Sequence, residues 1–536
     1  MKISVITPVY QPPASVLREC IESVLGQTHG ELEFCIVDDG SPTEHVIPIL
    51  NEYAQADDRI RLALRSTNGG IVAASNDALA MATGEFVALL DHDDMLHRCA
   101  LERIVNAVAA APDVDYVYTD EDHLDSAGRR FGAFYKPDWS PERFRSQMYT
   151  CHLSALRRNL VEEVGGFHES YDGSQDYDLV LRVTERARNV VHIPEVLYHW
   201  RSGEQSTSSN PDAKPWAYVA GVRAVQAHCD RVGIQATVSS THIPGCHRVR
   251  RSLGDPPLVS VIIPTAGTTR EVYGLPRTFA VEAVRDLIER TDYPKLEVIV
   301  VADRSTPDAV IADLGRIAGD RLKLVWFDGP FNLSEKVNVG SCHASGDLLL
   351  LLDDDIQTTS PDWLAVMVSL TQDEDVGVVG ARLLFADGTL RHAGHVYVGN
   401  PFHTFSGRDP SESGPSGLLQ VDRETSGVTA ACALVKTSVF RAVGGMTTHL
   451  AGNFNDVDFC LKVRHLGYRI LWTPHATLFH FESQSCTSTV LTDEIEFLHG
   501  RWAEELAHDP YHNPNLMPGR DDWLPRPVDD HSWHSA

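Results

Sequence analysis

The second half of this sequence repeats, in the same order, motifs that occur in the first half. The pairs are Ile3-Ser4-Val5-Ile6-Thr7-Pro8 with Val259-Ser260-Val261-Ile262-Ile263-Pro264, Cys35-Ile36-Val37-Asp38-Asp39-Gly40-Ser41 with Ile299-Val300-Val301-Ala302-Asp303-Arg304-Ser305, Gly165-Gly166-Phe167 with Gly444-Gly445-Met446, Asp176-Tyr177-Asp178-Leu179 with Asp456-Val457-Asp458-Phe459, and His199 with His480. Copies of this length indicate a duplicated domain and not a solenoid of short repeats. Because 536 residues exceed what one hydrophobic core holds, we predict domains at 1–238 and 258–536. A linker at 239–257 joins them, and the second domain ends in a helical tail.

Each half alternates predicted strands and helices. Such alternation is typical of βαβ units, so we predict an α/β fold whose mainly parallel sheets carry helices on both faces. Predicted strands lie at 2–7, 33–38, 60–64, 86–91 and 114–119 in the first half and at 258–263, 296–302, 322–326 and 347–352 in the second. Predicted helices of the first half lie at 14–27, 43–55, 71–82 and 97–110.

An acidic block follows a fully apolar run in each half. The blocks are Asp91-His92-Asp93-Asp94 and Asp353-Asp354-Asp355. Carboxylates this close repel one another unless a divalent cation or several hydrogen-bond donors offset the repulsion. A solvated acidic turn is the alternative for a single block, but two blocks in the same setting favour metal binding. Since ligands bind beyond the carboxyl ends of parallel strands, we expect two copies of a metal-dependent site there.

Composition excludes several classes of protein. The formal net charge of −28 argues against nucleic-acid binding. No GxGxxG motif follows the first strand and no GxxxxGK[ST] motif occurs, which disfavours nicotinamide dehydrogenases and P-loop enzymes. We expect no signal peptide and no transmembrane segment. The cysteines form no CxxC pair, which favours reduced thiols in the cytoplasm. Peripheral association with the inner face of a membrane, through a basic patch such as 248–251, stays open.

The motifs together resemble family 2 glycosyltransferases of the GT-A fold. The matching segments are TPVY at 7–10, VDDGS at 37–41, Asn68-Gly69-Gly70, Asn76, LLDHDD at 89–94, GGF at 165–167 and QDYDLVLR at 175–182 in the first half, and Phe331-Asn332-Leu333-Ser334, Asn338, Leu351 to Asp355, Asp362-Trp363-Leu364, Arg391-His392-Ala393-Gly394, Phe454 to Leu461 and Thr473 to Ser483 in the second. The tandem arrangement resembles bacterial enzymes that build O-antigen, rhamnan or other surface polysaccharides.

The resemblance implies a reaction and a set of site residues. A sugar would pass from a UDP-, dTDP- or GDP-sugar donor to a glycan, lipid-linked glycan or glycoprotein acceptor, with Mn2+ or Mg2+ as cofactor. The implied nucleotide-sugar-binding residues are Thr7, Pro8, Tyr10, Asp39, Asn68, Asp91, Pro264, Asp303, Asn332, Asn338 and Asp353. The implied metal ligands are Asp93, His199, Asp355 and His480. Either histidine has an alternative role as a hydrogen-bonded residue at a strand end. Oxygen ligands mixed with imidazole favour Mn2+ over Mg2+.

The resemblance also implies the catalytic bases, Asp176 and Asp456. An acceptor hydroxyl loses a proton as it attacks, so a carboxylate is needed within hydrogen-bond reach. An aspartate at the start of a helix is also favoured as a cap and by the helix dipole. Asp178 and Asp458 fit the capping role better, which leaves the first aspartate of each pair for chemistry. A single base opposite the leaving group predicts inversion at the anomeric carbon.

The second half departs from the first in its nucleotide motifs: Ile263 stands for Thr7, Ala302 for Asp38 and Arg304 for Gly40. We therefore expect a second nucleotide pocket that differs in detail. The leading hypothesis is a bifunctional inverting glycosyltransferase that extends a surface polysaccharide. The alternatives are one catalytic domain joined to a domain that binds acceptor or nucleotide, a protein O-glycosyltransferase and, as a protein that is not an enzyme, a carbohydrate-binding scaffold.

Overall fold

The computed structural model describes residues 1–202, 215–481 and 490–527. The chain divides into two compact units. Unit 1 comprises Met1–Trp139, Phe144–Val249 and Asn513–Asn515, and unit 2 comprises Ser140–Arg143, Arg250–His512 and Leu516–Ala536. Of the segment 239–257 predicted as a linker, residues 239–240 and 247–251 belong to a small two-stranded sheet of β10 (Ala236–Ser240) and β11 (His247–Arg251).

Unit 1 is built on one nine-stranded sheet with the order β3-β2-β1-β4-β8-β6-β9-β5, and β7 pairs with β6. The pairs among β1, β2, β3 and β4 are parallel, while β8 runs antiparallel to β4 and β6. The strands are β1 (Ile3–Val9), β2 (Leu32–Asp38), β3 (Ile60–Leu64), β4 (Phe86–Leu89), β5 (Met95–Leu96), β6 (Tyr116–Leu124), β7 (Arg130–Phe134), β8 (Ser154–Arg157) and β9 (Val190–Arg201). Helices of residues 1–249 are α1 (Ala14–Leu25), α2 (Val46–Ala56), α3 (Ile71–Met81), α4 (Ala100–Ala110), α5 (Pro141–Ser146), α6 (Arg158–Glu163), α7 (Gln175–Thr184) and α8 (Pro215–Val232).

Unit 2 repeats this topology in a ten-stranded sheet with the order β16-β15-β12-β17-β24-β19-β25-β18, in which β20 and β23 pair with β19 and β25. Two further pairs, β13-β14 and β21-β22, form separate hairpins. The strands are β12 (Val259–Thr265), β13 (Thr269–Val272), β14 (Leu275–Thr278), β15 (Leu296–Asp303), β16 (Leu322–Phe327), β17 (Leu348–Leu352), β18 (Ile356–Thr358), β19 (Val376–Leu384), β20 (Leu390–His392), β21 (His395–Tyr397), β22 (Pro401–His403), β23 (Arg423–Glu424), β24 (Cys432–Lys436) and β25 (Arg469–His480). The helices are α9 (Phe279–Arg285), α10 (Asp308–Ala318), α11 (Leu333–Ser341), α12 (Trp363–Leu370), α13 (Thr437–Ala442), α14 (Asn455–His465) and α15 (Thr492–Ala507).

The predicted α/β class with mainly parallel strands is confirmed. Strand β17 shows why its sequence lacks polar alternation. Leu348, Leu350 and Leu352 belong to one apolar cluster, while Leu349 and Leu351 belong to another. Because successive side chains of a strand point to opposite faces, the sheet is covered on both sides here. Each buried leucine contributes roughly 1.5–3 kcal/mol to folding.

A glycine lies two residues before each of the central strands β4 and β17, which lead to the acidic blocks. A β-carbon on Gly84 would lie 2.7 Å from the backbone nitrogen of Ser4, and one on Gly346 would lie 2.5 Å from the carbonyl oxygen of Leu258. Only glycine allows so close an approach to the neighbouring strand. These contacts align β4 with β1 and β17 with β12, so that both acidic blocks emerge at the carboxyl edge of the sheet.

Candidate active site

Unit 2 has a cavity of about 770 Å³ at the carboxyl edge of its sheet. The central strands β12, β15 and β17 run parallel and deliver their last residues to this edge. Of the residues predicted for the second site, those that line the cavity are Pro264, Asp303, Asp353, Asp355, Asp456 and His480. One cavity thus brings together the predicted base, the acidic block and the histidine.

Asp353, Asp355 and His480 form the candidate metal set of unit 2. One ligand atom from each lies within 4.8 Å of the others. The His480 imidazole Nε2 is 3.6 Å from an Asp353 carboxylate oxygen and 3.3 Å from one of Asp355. The antiparallel pairing of Ile356 with His480 delivers the histidine to the block. Two carboxylates and one imidazole suit Mn2+ and also accept Mg2+.

The acidic block of unit 2 carries charge that the protein itself compensates only in part. Burial raises the pKa of Asp353 to about 6, and although the nearby His480 lowers that pKa, the carboxylates of Asp355 and Asp456 raise it further. Asp354 accepts a hydrogen bond of 2.5 Å from the Thr265 hydroxyl, and burial raises its pKa to about 7. A divalent cation bound between Asp353 and Asp355 would relieve this repulsion. The residues present therefore fit such an ion.

Asp456 lies in the first turn of α14 and reaches the cavity. One of its carboxylate oxygens accepts from the backbone N–H of Val457 at 2.8 Å, and the other accepts from that of Ala430 at 3.4 Å. Phe454, the N-cap residue two positions before Asp456, adopts a left-handed backbone conformation with φ of 56°. Strained backbone of this kind is common at functional sites. Asp456 is thus held at the cavity wall with an oxygen available to a bound hydroxyl.

The capping role predicted for Asp178 and Asp458 is wrong. Asp458 is fully buried and accepts hydrogen bonds from the Thr447 hydroxyl at 2.6 Å and the Trp502 indole N–H at 2.9 Å. Asp178 is also fully buried and pairs with the guanidinium of Arg182 at 2.6 Å. Because α7 and α14 pack these residues inward, both carboxylates form buried contacts, and the N-cap positions are occupied by Ser174 and Phe454 instead.

Two predicted nucleotide-binding residues of unit 2 have structural partners. Asn332 caps α11 by accepting from the Glu335 N–H at 2.9 Å. Asn338 donates to the Met446 carbonyl and accepts from the Met446 N–H, both at 2.8 Å. Their contact with a nucleotide stays a prediction.

A cation that sequence reasoning missed lies beside Asp303. Lys336 is buried, lines the cavity and forms an ion pair of 2.6 Å with Asp303. The sequence does contain a signal for Lys336 as a site residue. Lys336 follows the helix cap Asn332 by four residues and therefore lies about one turn along α11, on the same side of the helix as the cap. Lys336 and Arg391 supply positive charge to a cavity otherwise rich in carboxylates.

Unit 1 assembles only part of the corresponding site. Pro8, Asp91 and Asp176 line a smaller cavity, of about 60 Å³, together with His152 and Gln175. Asp176 occupies the first turn of α7, as Asp456 does in α14. The predicted base and the predicted donor carboxylate are therefore neighbours in this unit too.

Pro8 on β1 lines that cavity, but the other predicted nucleotide residues on or after β1 and after β2, namely Thr7, Tyr10, Asp39 and Asn68, do not. Asp39 is buried and accepts from the backbone N–H groups of Gly69 and Gly70, each at 2.8 Å. Asn68 accepts from Gly70 at 3.1 Å, and Tyr10 is exposed. Thr7 is buried, and its hydroxyl finds no partner within the described residues.

His199 does not join the acidic block of unit 1. Its Nδ1 lies 2.6 Å from a carboxylate oxygen of Asp122, across the parallel pair β6-β9. Asp93, the other predicted ligand of this unit, contributes its backbone carbonyl to the Arg201 guanidinium at 2.9 Å. Within the described ranges, the candidate metal groups are the set in unit 2 and a cluster of three histidines, so Asp93 and His199 belong to neither.

A protonated histidine lies next to the acidic block of unit 1 instead. His152 stacks on Tyr198, with ring centroids 4.6 Å apart, and its Nδ1 lies 3.6 Å from a Glu121 oxygen. Burial opposes protonation, but Glu121, Asp91 and Asp94 outweigh it and raise the pKa of His152 to about 9. An imidazolium thus offsets part of the charge of Asp91 at neutral pH.

Comparison with known proteins identifies the two halves. The family model described as glycosyl transferase family 2 matches residues 4–165 and again residues 260–444. The protein y4gI of Sinorhizobium fredii is 38% identical over 97% of this chain and 58% of its own length. The O-antigen biosynthesis protein RfbC of Myxococcus xanthus is 36% identical over 96% of this chain and 40% of its own length. The chain therefore spans about half the length of these relatives.

Solved structures give weaker likenesses. TarS of S. aureus in complex with UDP-GlcNAc has a TM-score of 0.36 and 21% identity over 42% of this chain and 66% of that one. The mannosyltransferase PcManGT of Pyrobaculum calidifontis, solved with GDP-Man and Mn2+, has a TM-score of 0.32 and 20% identity over 43% and 63%. Among the described residues, no helix is both long and apolar enough to cross a membrane.

Proposed function

Because this chain belongs to glycosyl transferase family 2, we propose that it transfers sugars from nucleotide-sugar donors to a glycan during surface-polysaccharide synthesis. Each unit carries one inverting transfer site, and the site in unit 2 depends on Mn2+ or Mg2+. The observation that carries this proposal is the cavity of unit 2, where Asp353, Asp355 and His480 face Asp456. The likeness to the O-antigen biosynthesis protein RfbC supports the choice of a polysaccharide.

In this proposal Asp353, Asp355 and His480 hold the cation. When bound, the cation neutralises the charge that develops on the departing nucleoside diphosphate. Lys336 and Arg391 add positive charge at the same cavity. Asp303, paired with Lys336, and Pro264 border the end of the cavity proposed for the nucleoside.

Asp456 acts as the general base. The acceptor oxygen bonds to the anomeric carbon, the bond from that carbon to the diphosphate oxygen breaks, and the hydroxyl proton passes to the carboxylate. The backbone N–H groups of Val457 and Ala430 fix the carboxylate, so little reorganisation is needed on proton transfer. Because the acceptor oxygen attacks the anomeric carbon directly, and no carboxylate bonds to the sugar in this mechanism, the configuration at that carbon is inverted.

Asp176 plays the same role in unit 1, beside Asp91. A second candidate function exists for this unit, namely binding of acceptor or nucleotide without catalysis. The smaller cavity and the separation of His199 from Asp93 favour that alternative. The acceptor is a glycan, a lipid-linked glycan or a glycoprotein.

Nucleotide release from a panel of UDP-, dTDP- and GDP-sugars tests the proposal. We expect at least one donor to be turned over with Mn2+ or Mg2+, and an excess of EDTA to abolish the turnover assigned to unit 2. Asp355→Asn should weaken the response to metal, while Asp313→Asn, a change to an exposed helix residue of the same unit, should not. Full turnover in EDTA, or no turnover of any donor with a glycan acceptor, would contradict it.

A further inference from the structure

Three histidines of unit 2 form a compact cluster at the edge of the cavity. They are His392, His395 and His403. Ring centroids lie 4.9 Å, 5.0 Å and 4.7 Å apart, and each pair of rings is close to perpendicular, at 77°, 80° and 75°. Nothing in the proposed transfer chemistry uses this cluster as a unit.

The backbone builds the cluster from a short segment. His395 and His403 are directly opposed across the hairpin β21-β22. His392 ends β20, and Gly394, in the left-handed conformation with φ of 94°, turns the chain between the first two histidines. A β-carbon on Gly394 would lie 2.5 Å from the Thr425 hydroxyl, so glycine is required at this bend. The fold therefore holds three imidazoles in one place with little freedom.

We propose that His392, His395 and His403 bind a borderline transition-metal ion of the Zn2+ class. Three imidazole nitrogens about 2.0–2.1 Å from a tetrahedral ion are about 3.3 Å apart, and their ring centroids are then about 5 Å apart. The observed centroid triangle matches this spacing. All-nitrogen donors favour Zn2+ and its neighbours over Mg2+ or Mn2+.

The polar atoms of the cluster point to an ion as well. His395 is 4% exposed, and its Nδ1 has no hydrogen-bond partner within the described residues. The Nδ1 atoms of His392 and His403 are 2.8 Å apart, so without metal one ring donates to the other. Burial lowers the pKa of all three imidazoles, which keeps them in the neutral form that binds metals.

Metal binding at the histidine cluster is expected to change the hydrogen bonds next to the proposed catalytic base, Asp456. The Nε2 of His392 accepts from the Thr429 N–H at 3.2 Å, and the next N–H, of Ala430, donates to Asp456. When an ion replaces the proton on His392 Nδ1, Nε2 becomes a donor and the Thr429 contact is released. His395 and His403 line the cavity with Asp456, so an ion bound to the cluster would lie at the wall of the same cavity.

Titration of the tag-free full chain with Co2+ in excess Mg2+ tests the proposal, because Mg2+ occupies oxygen-rich sites and Co2+ reports imidazole ligation by its visible ligand-field absorption. Because the set of Asp353, Asp355 and His480 also contains an imidazole, the titration is repeated in His480→Ala, and the cluster variants are made in that background. There we expect one equivalent of Co2+ with four- or five-coordinate absorption, displaced by Zn2+. His395→Ala and His403→Gln should each weaken the binding more than tenfold. The exposed His343→Ala, and His480→Ala in the other metal set, should retain it.

Near-UV circular dichroism and thermal melting establish that the variants are folded. X-ray absorption of the Zn2+-loaded wild-type chain gives a second readout that needs no variant, with three imidazoles expected in the first coordination shell. Absence of the Co2+ band, a band that persists in both cluster variants, or fewer than three imidazoles on zinc would overturn the proposal. These readouts do not involve sugar transfer, so they leave the proposed function to its own test.

Discussion

The acidic ends of β4 and β17 have the same sheet position in the two units, yet their histidines behave differently. His480 lies between Asp353 and Asp355, whereas His199 bonds to Asp122. In unit 1 the parallel pairing of β6 with β9 sets Asp122 opposite His199. In unit 2 the last pair is Leu384 with Phe479, and the residue that follows Leu384 in sequence is Phe385, which lies outside β19.

This difference teaches that the partner offered by the neighbouring strand matters for whether a histidine can serve the acidic block. In unit 1 the carboxylate of Asp122, opposite His199, bonds to the imidazole. In unit 2 the pairing of β19 with β25 ends before His480, and the imidazole lies against the carboxylates of the block. The duplicated fold thus supports a metal set in unit 2 and a hydrogen-bonded pair in unit 1.

A second difference lies on the strand next to each block. In unit 1, Arg157 pairs with the first residue of β4, and His152 lies five residues before Arg157. In unit 2, Lys436 pairs with the first residue of β17, and Ala431 lies five residues before Lys436. His152 and Ala431 are therefore counterparts. Unit 1 places an imidazolium beside Asp91 where unit 2 has a methyl group. The His152 imidazolium therefore supplies unit 1 with a positive charge beside the acidic block, and unit 2 lacks a positive charge at the corresponding position, Ala431.

The largest expected effect separates the two units as catalysts. Asp456→Asn should lower its own sugar addition by at least about a hundredfold, since general base catalysis contributes roughly 10²–10⁴. Asp176→Asn should do the same for the other addition. Mass spectrometry of acceptor products should then show two different truncated glycans. Asp493→Asn, an exposed aspartate in the first turn of α15, is the matched control and should leave both additions intact.

If Asp176→Asn left every product unchanged, unit 1 would be a binding domain. If both variants lost the same single addition, the assignment of one site to each unit would be wrong. Donor binding measured by calorimetry should persist in both variants, because the substitution removes a charge and almost no volume.

The charge difference at His152 predicts a pH effect on stability. Its folded pKa of about 9 lies above the ordinary value, so its contribution is full below about pH 6.5 and is lost as pH rises through 9. The shift is equivalent to a contribution on the order of 3 kcal/mol. In His152→Gln, which keeps a donor for Glu121 but does not titrate, this decline should disappear. Urea unfolding of both proteins at pH 6.5 and 9.5 measures it.

A variant with the same loss of stability between these two pH values as the wild type would show that His152 is neutral in the folded protein. The imidazolium beside Asp91 would then not compensate the block of unit 1, and the second difference between the units would reduce to side-chain size.

The fold was predictable from sequence because its signals are local. The predicted strands at 33–38, 60–64, 296–302 and 347–352 lie within one residue of β2, β3, β15 and β17. The predicted strand at 86–91 was too long, since β4 ends at Leu89 before the block. Continuous apolar runs and the repeat itself supplied these predictions.

The sites were predictable only in part, because long-range pairing decides them. Asp91, Asp353 and Asp456 follow strand ends or begin helices, so their position at the sheet edge could be inferred. The hydrogen bond between His199 and Asp122 joins residues 77 positions apart, so no local sequence pattern predicts it. His152 and the ion pair of Asp303 with Lys336 depend likewise on which strand or helix neighbours which.

Mn2+ binding to the full chain, followed by electron paramagnetic resonance, tests the central claim that unit 2 alone assembles the donor-side metal set. We predict one tight equivalent per chain in the wild type. His480→Ala and Asp355→Asn should weaken it at least tenfold. His199→Ala, the matched change in unit 1, should leave it unchanged. Two equivalent tight sites, or a loss of the tight site in His199→Ala, would contradict this account.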